Sequence, residues 1–153
     1  MLGNVVPDFC ANVVLKPHYI ENYLEYVKHQ IDTVKQSHKQ GVEFTWRQSL
    51  RSGVICHYIS DFFCFVHNRN FSGSSFAHVG YERRLNHFFK ENSACKEKVK
   101  EFLEAMPADN TESLMHELKR LHIKFMTHNQ NMQADMLYSL TACMKITTYL
   151  AKA

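Results

Sequence analysis

Glycine and proline are scarce in this chain, with 5 and 3 among 153 residues. That shortage removes the punctuation a strand-and-turn fold needs, and no stretch shows the apolar/polar alternation of a half-buried strand. Cysteine is no richer a source of structure. Its five copies (Cys10, Cys56, Cys64, Cys95, Cys143) are odd in number, far apart and never form C-x2-C. A disulfide framework and a thiolate zinc site are both disfavoured, and a reducing compartment is expected. No segment approaches the roughly 20 uninterrupted apolar residues that span a bilayer. Residues 1–8 have no basic stretch and too short an apolar run for a signal peptide, so the expected location is cytoplasmic. Charge of one sign is lacking too: 18 Lys and Arg stand against 15 Asp and Glu, for a net charge of +3. The bases are scattered among the acids, without the basic stripe that a stable nucleic-acid partner demands. Finally, neither Glu-x2-His nor a His-Asp dipeptide occurs. This sets aside the di-iron carboxylate bundles and the phosphohydrolases built on a His-Asp pair.

What remains is helical periodicity and histidine. The length suits one domain, residues 1–153, with one core. Pro17 fits the first turn of a helix whose apolar positions are Ile20, Tyr23, Leu24, Val27, Ile31 and Val34, and Gly41 is placed to end it. A second helix is expected from near Glu43 to about Val66, apolar on nearly every side around His57 and so buried over most of its circumference. Residues 68–75 read as a loop, and a third helix follows from about Phe76 to Glu91. Ser93 is a plausible N-cap for a short helix through Met106, and Pro107 to Asn110 make a turn. Thr111 is the expected cap of the next helix, and the last spans Met132 to Leu150. The fold class is all-α, a bundle of about five or six helices.

Histidine is the unusual count, at 10 in 153. Any residue is acidic about one time in ten, so about one His-x3-acid pair is expected by accident on ordinary composition. Three occur: His57/Asp61, His78/Glu82 and His87/Glu91. Residues four apart share a helix face. The third pair lies beside Lys90 where the sequence turns polar, and reads as solvated. The first lies in an apolar run, where a lone carboxylate is costly and is normally paired or bound to metal. Two readings stay open there, a buried His57–Asp61 hydrogen bond and a metal ligand pair. His67, between the two pairs, would alone read as a helix-end histidine. His29, His38, His116, His122 and His128 read as surface residues, as does His18 on spacing alone.

Taken together, His57-Tyr58-x2-Asp61, His67 and His78-x3-Glu82 resemble the zinc-dependent phospholipase C family, whose wider relatives include zinc nucleases acting on single-stranded nucleic acid. Upstream, Gly3-x3-Pro7-Asp8 is similar to that family's Gly-x3-Pro-Asp segment, and His18 stands where a further histidine is expected. The resemblance covers roughly residues 2–88, and only helicity matches after that. It implies a multinuclear zinc site in which Asp8, His18, His57 and Asp61 hold one ion and His67, His78 and Glu82 a second. A bridging water deprotonated near neutral pH would attack phosphorus, with Asp8 as the candidate catalytic residue orienting it. The implied partner is a phospholipid or other phosphodiester. The family's third zinc uses an amino-terminal residue and an upstream histidine, which this sequence does not supply ahead of Pro7. A shorter member or a missing N-terminal segment follows as an expectation, with self-association if a partner surface is left uncovered. The alternative is a helical metal domain without catalysis, in a structural or regulatory role.

Overall fold

Ile20, Leu24, Val27, Ile31 and Val34 recur at steps of three and four, and all five are buried along one face of the first helix. A computed structural model of the protein describes residues 19–39, 41–92, 109–128 and 131–152. Among these residues there are five α-helices and no strand: α1 (Ile20–Ser37), α2 (Trp46–Phe62), α3 (Ser75–Glu91), α4 (Thr111–Thr127) and α5 (Met132–Ala151). A single turn of 3-10 helix, Phe65–His67, joins α2 to α3. The all-α bundle expected from the periodicity is the fold observed. The short helix expected after Ser93 lies outside the described residues.

Local chemistry explains the boundaries. Glu21 in the first turn of α1 and Lys35 in the last suit the helix dipole. Lys35 also donates to the Tyr149 carbonyl at 3.3 Å, tying the end of α1 to that of α5. Gly41 follows with a φ of 78°, in the left-handed region that reverses the chain at little cost only for glycine. The second helix begins three residues later than its pattern suggests because Thr45 and Gln48 form a capping box. The Thr45 N–H donates to Gln48 Oε1 at 2.8 Å, and the Gln48 N–H to Thr45 Oγ1 at 3.3 Å. Asn110, not Thr111, caps α4, accepting from the Ser113 N–H at 2.8 Å, and Asn131 caps α5 in the same way.

The core lies where α2 packs against α1 and α5, with α4 closing the far side. Ile55, Ile59, Phe62 and Phe63 are fully buried there with Val27, Ile31, Leu114, Leu118, Phe125, Ala142 and Ile146. Each large apolar side chain so buried contributes about 1.5–3 kcal/mol. From Ile55 onward α2 is covered almost all round, as its composition demands. Tyr58 stacks on Tyr23 of α1 at 5.0 Å between ring centroids, which sets the rotation of α2 and turns His57 and Asp61 to another side. By contrast, α3 contributes no buried residue, and among the described elements it packs chiefly against α5 and the Phe65–His67 turn. It is held at one edge of the core.

Removing the cap at Thr45 should loosen the entry to α2 without touching the core. Thr45→Ala is expected to lower unfolding free energy by about 1 kcal/mol, read as an earlier urea midpoint with an unchanged slope. An unchanged midpoint would show that the box contributes nothing to stability.

Candidate metal centre

Three chain segments supply the polar side chains that meet at one end of the bundle. His57 and Asp61 stand one turn apart on α2, with His57 Nε2 3.3 Å from Asp61 Oδ2. His78 and Glu82 repeat that spacing on α3, with Nε2 3.2 Å from Glu82 Oε1. His67 joins the two pairs: its Nε2 lies 3.0 Å from Glu82 Oε1 and 3.7 Å from Asp61 Oδ1. The rings of His67 and His78 meet edge to face at 4.6 Å. The chain of contacts therefore runs His57, Asp61, His67, Glu82, His78.

An unbroken helix could not build this. Six residues of α-helix would carry His67 about 9 Å along the axis from Asp61, and the expectation that α2 runs on to Val66 is corrected here. The last turn of α2 closes on itself, the Phe63 N–H donating to the Ser60 carbonyl at 3.2 Å and the Cys64 N–H to that of Asp61 at 3.0 Å, and a side chain from beyond the turn covers carbonyls at the break. Asn68 Nδ2 donates to the Cys64 carbonyl at 2.7 Å and to that of Phe62 at 3.4 Å. His122 on α4 holds the other end of that amide, Nε2 to Asn68 Oδ1 at 3.0 Å. From α5, Asp135 Oδ2 accepts the Phe65 N–H at 3.0 Å. The chain reverses, and His67 swings back over Asp61.

The site is graded in exposure. Side chains of His57, Asp61 and His67 keep 10%, 12% and 13% of their surface, whereas His78 and Glu82 keep 29% and 44%. A deep end sits against the core and an open end faces solvent. Hydrogen bonding from His67, helped by the positive fields of His67 and His78 and opposed by burial, holds the Glu82 carboxyl below its ordinary range. Phe71 flanks His78 at 6.0 Å, folded back over Gly73, where a Cβ would strike its ring.

Donor chemistry suits a divalent ion. One ligand atom each from His67, His78 and Glu82 lies within 4.8 Å of the others, a spread that small movements would close around zinc, which takes imidazole nitrogen and carboxylate oxygen at about 2.0–2.2 Å. Asp61 and His57 add a second carboxylate and a third imidazole beside them. Of the seven residues singled out by pattern, five are thus brought together. Asp8 and His18 lie outside the described residues. The pair His87/Glu91 stands apart and exposed, as its polar setting predicts.

The model of the zinc-dependent phospholipase C family matches residues 1–132. The chain belongs to this family. The match extends past residue 88, where the resemblance read from the residues ends, through α4 to the first residue of α5. No curated protein and no solved structure matches the chain. No described helix is long and apolar enough to cross a membrane.

Four residues that position this centre had no motif to announce them: Asn68, Tyr81, His122 and Asp135. A loop asparagine and an aspartate in the first turn of a helix are common in any bundle. His122 corrects the surface assignment, for it is half-buried, with its ring against Phe63 at 5.8 Å and Phe125 at 6.1 Å. Apolar neighbours at i−4 and i+3 (Leu118, Phe125) were the available hint, and it is a weak one.

Burial holds the His122 imidazole below its ordinary value of 6.5, against the opposing pull of Glu21 and the Phe62 carbonyl. The sign follows from linkage. A base with a depressed folded pKa binds its proton more readily when unfolded, so its protonation opposes folding as pH falls below the ordinary value. The stability gap between wild type and His122→Gln is expected to narrow on going from about pH 7.5 to about pH 5.5. Urea unfolding at both values checks this. A gap that widens on acidification would reverse the assignment.

Proposed function

We propose that the protein is a zinc-dependent phosphodiester hydrolase of the phospholipase C kind, acting on a phospholipid or a related phosphodiester. The observation that carries this reading is the position of His67, within reach of Asp61 on one helix and Glu82 on another. It makes one centre out of two separate His/carboxylate pairs. Family membership supports the same reading.

In the proposed arrangement His67, His78 and Glu82 hold one zinc ion. His57 and Asp61 hold a second, completed on the family pattern by Asp8 and His18. Zinc bound there would supply a water acidified toward neutral pH and positive charge for the phosphate oxygens. The protein's own groups do the rest. All three imidazoles turn Nε2 toward a carboxylate oxygen, so the atoms that face the carboxylates are those whose lone pairs a metal would take. Asp61 and Glu82 partly neutralise two closely held cations. The open end at Glu82 and His78 gives a phosphate its approach, while His57 and Asp61 are shielded from bulk water by the core.

Two experiments test this. The first is metal content: His57→Ala and Glu82→Ala are each expected to lower bound zinc after purification without chelator, and His87→Ala to leave it unchanged. Equal zinc in all three variants refutes the assignment of ligands. The second is hydrolysis of a soluble phosphodiester reporter, expected to stop on chelation and return with added zinc. Protein that binds zinc, loses thermal stability on chelation and hydrolyses nothing would instead be a metal domain with a structural or regulatory role.

A further inference from the structure

Asp135 is the most deeply buried charged residue described, at 1% exposure, and it lies past the span that matches the family. It sits in the first turn of α5, where the helix dipole favours a negative charge. A buried carboxylate there needs donors, and besides the Cys64 thiol it has one from each of the two segments that carry the centre. Asp135 Oδ2 accepts the backbone N–H of Phe65, two residues before His67, at 3.0 Å. The same oxygen accepts the Tyr81 hydroxyl, one residue before Glu82, at 2.8 Å. Phe65 and Tyr81 also pack ring against ring, with centroids 5.8 Å apart. One oxygen atom of α5 thus fastens the turn to α3. That matters because α3 has no buried residue of its own to fix its place against the core.

We infer that Asp135, acting with Tyr81, is a positioning residue for the candidate metal centre. It sets the register between the turn and α3, and so keeps His67 within bonding reach of Glu82. The inference rests on the metal reading for its consequence, although the clamp itself consists of hydrogen bonds within the chain. The hydrogen bonds of Asp135 Oδ2 go to residues beside the candidate ligands and not to the ligands themselves. Asp135 works through a backbone amide, which no side-chain substitution on the turn could replace, and through a phenol whose neighbour in sequence is the bridging carboxylate. The two anchors have to act together: with either released, α3 or the turn could slide, and the 3.0 Å contact between His67 and Glu82 would open.

The test compares Tyr81→Phe, Asp135→Ala and Asp135→Asn with Ile146→Val, which trims the core on α5 away from the centre. Tyr81→Phe removes one hydroxyl and keeps the ring. It is expected to weaken zinc binding about tenfold in competition with a fluorescent chelator, and to alter the visible spectrum of the Co2+-loaded protein. Asp135→Ala should weaken binding further. Asp135→Asn, which keeps an acceptor oxygen, should recover part of the loss. Ile146→Val should leave affinity and spectrum unchanged while lowering the melting temperature at least as much as Tyr81→Phe. In metal-free protein, imidazole 15N resonances of His67 should move in Tyr81→Phe while those of His87 stay. Wild-type affinity and spectrum in both Tyr81→Phe and Asp135→Ala would overturn the inference, as would losses that simply follow melting temperature. Should the wild type bind no zinc, a moved His67 resonance still upholds the clamp while the metal reading falls, and an unmoved one overturns the clamp as well.

Discussion

The imidazole of His67 stands between two carboxylates on different helices, and most of the surrounding structure can be read as what is needed to keep it there. A carboxylate at the depth of Asp61 cannot be left alone in an apolar bundle, because a buried unpaired charge costs several kcal/mol. Here it has an imidazole on either side, His57 from its own helix and His67 from the turn beyond. Bringing His67 back requires a helix to end abruptly within a buried segment, and a buried helix end leaves carbonyls that need donors. Asn68 supplies them, His122 orients Asn68, and Asp135 takes the amide that the turn frees.

This dependence gives the end of the bundle a character unlike the rest. The core between α1, α2, α4 and α5 is apolar, with its polar ties at the margins. The other end is a connected polar network that spans the 3-10 turn and touches α2, α3, α4 and α5. Polar networks of this kind are worth having only when nearly every member is satisfied. Glu82 is satisfied through hydrogen bonds to His67 and His78, and Asp61 through the close approach of His57 and His67. In a protein of the zinc-dependent phospholipase C family the same atoms suit a divalent cation, which would relieve the crowding of two carboxylates more completely than imidazoles do.

Much of this was legible in the chain. The helices α1, α4 and α5 follow from apolar spacing and fall within a few residues of their expected ends. His57/Asp61 and His78/Glu82 follow from the i, i+4 rule and from the cost of a carboxylate in an apolar run. Less legible was the end of α2. Its residues remain apolar to Val66, so periodicity continues a helix that the structure breaks at Phe62, and the cause lies in side chains from α4 and α5 that are 54 and 70 positions away from their partners. Asn68, Tyr81, His122 and Asp135 escaped notice for the same reason, since each acts through a contact that crosses between elements.

Local rules decide what neighbours along the chain do to one another, and so the residues themselves determined an all-α fold, two His/carboxylate faces and the family to which they belong. Contact between segments obeys no such spacing. That His67 faces both carboxylates, that α3 is fastened by an aspartate on α5, and that one end of the centre is sheltered while the other is open were settled only when the helices packed. The physical reason is that a hydrogen bond acts over about 3 Å, whatever the distance in sequence, and only the assembled fold brings its two ends that close.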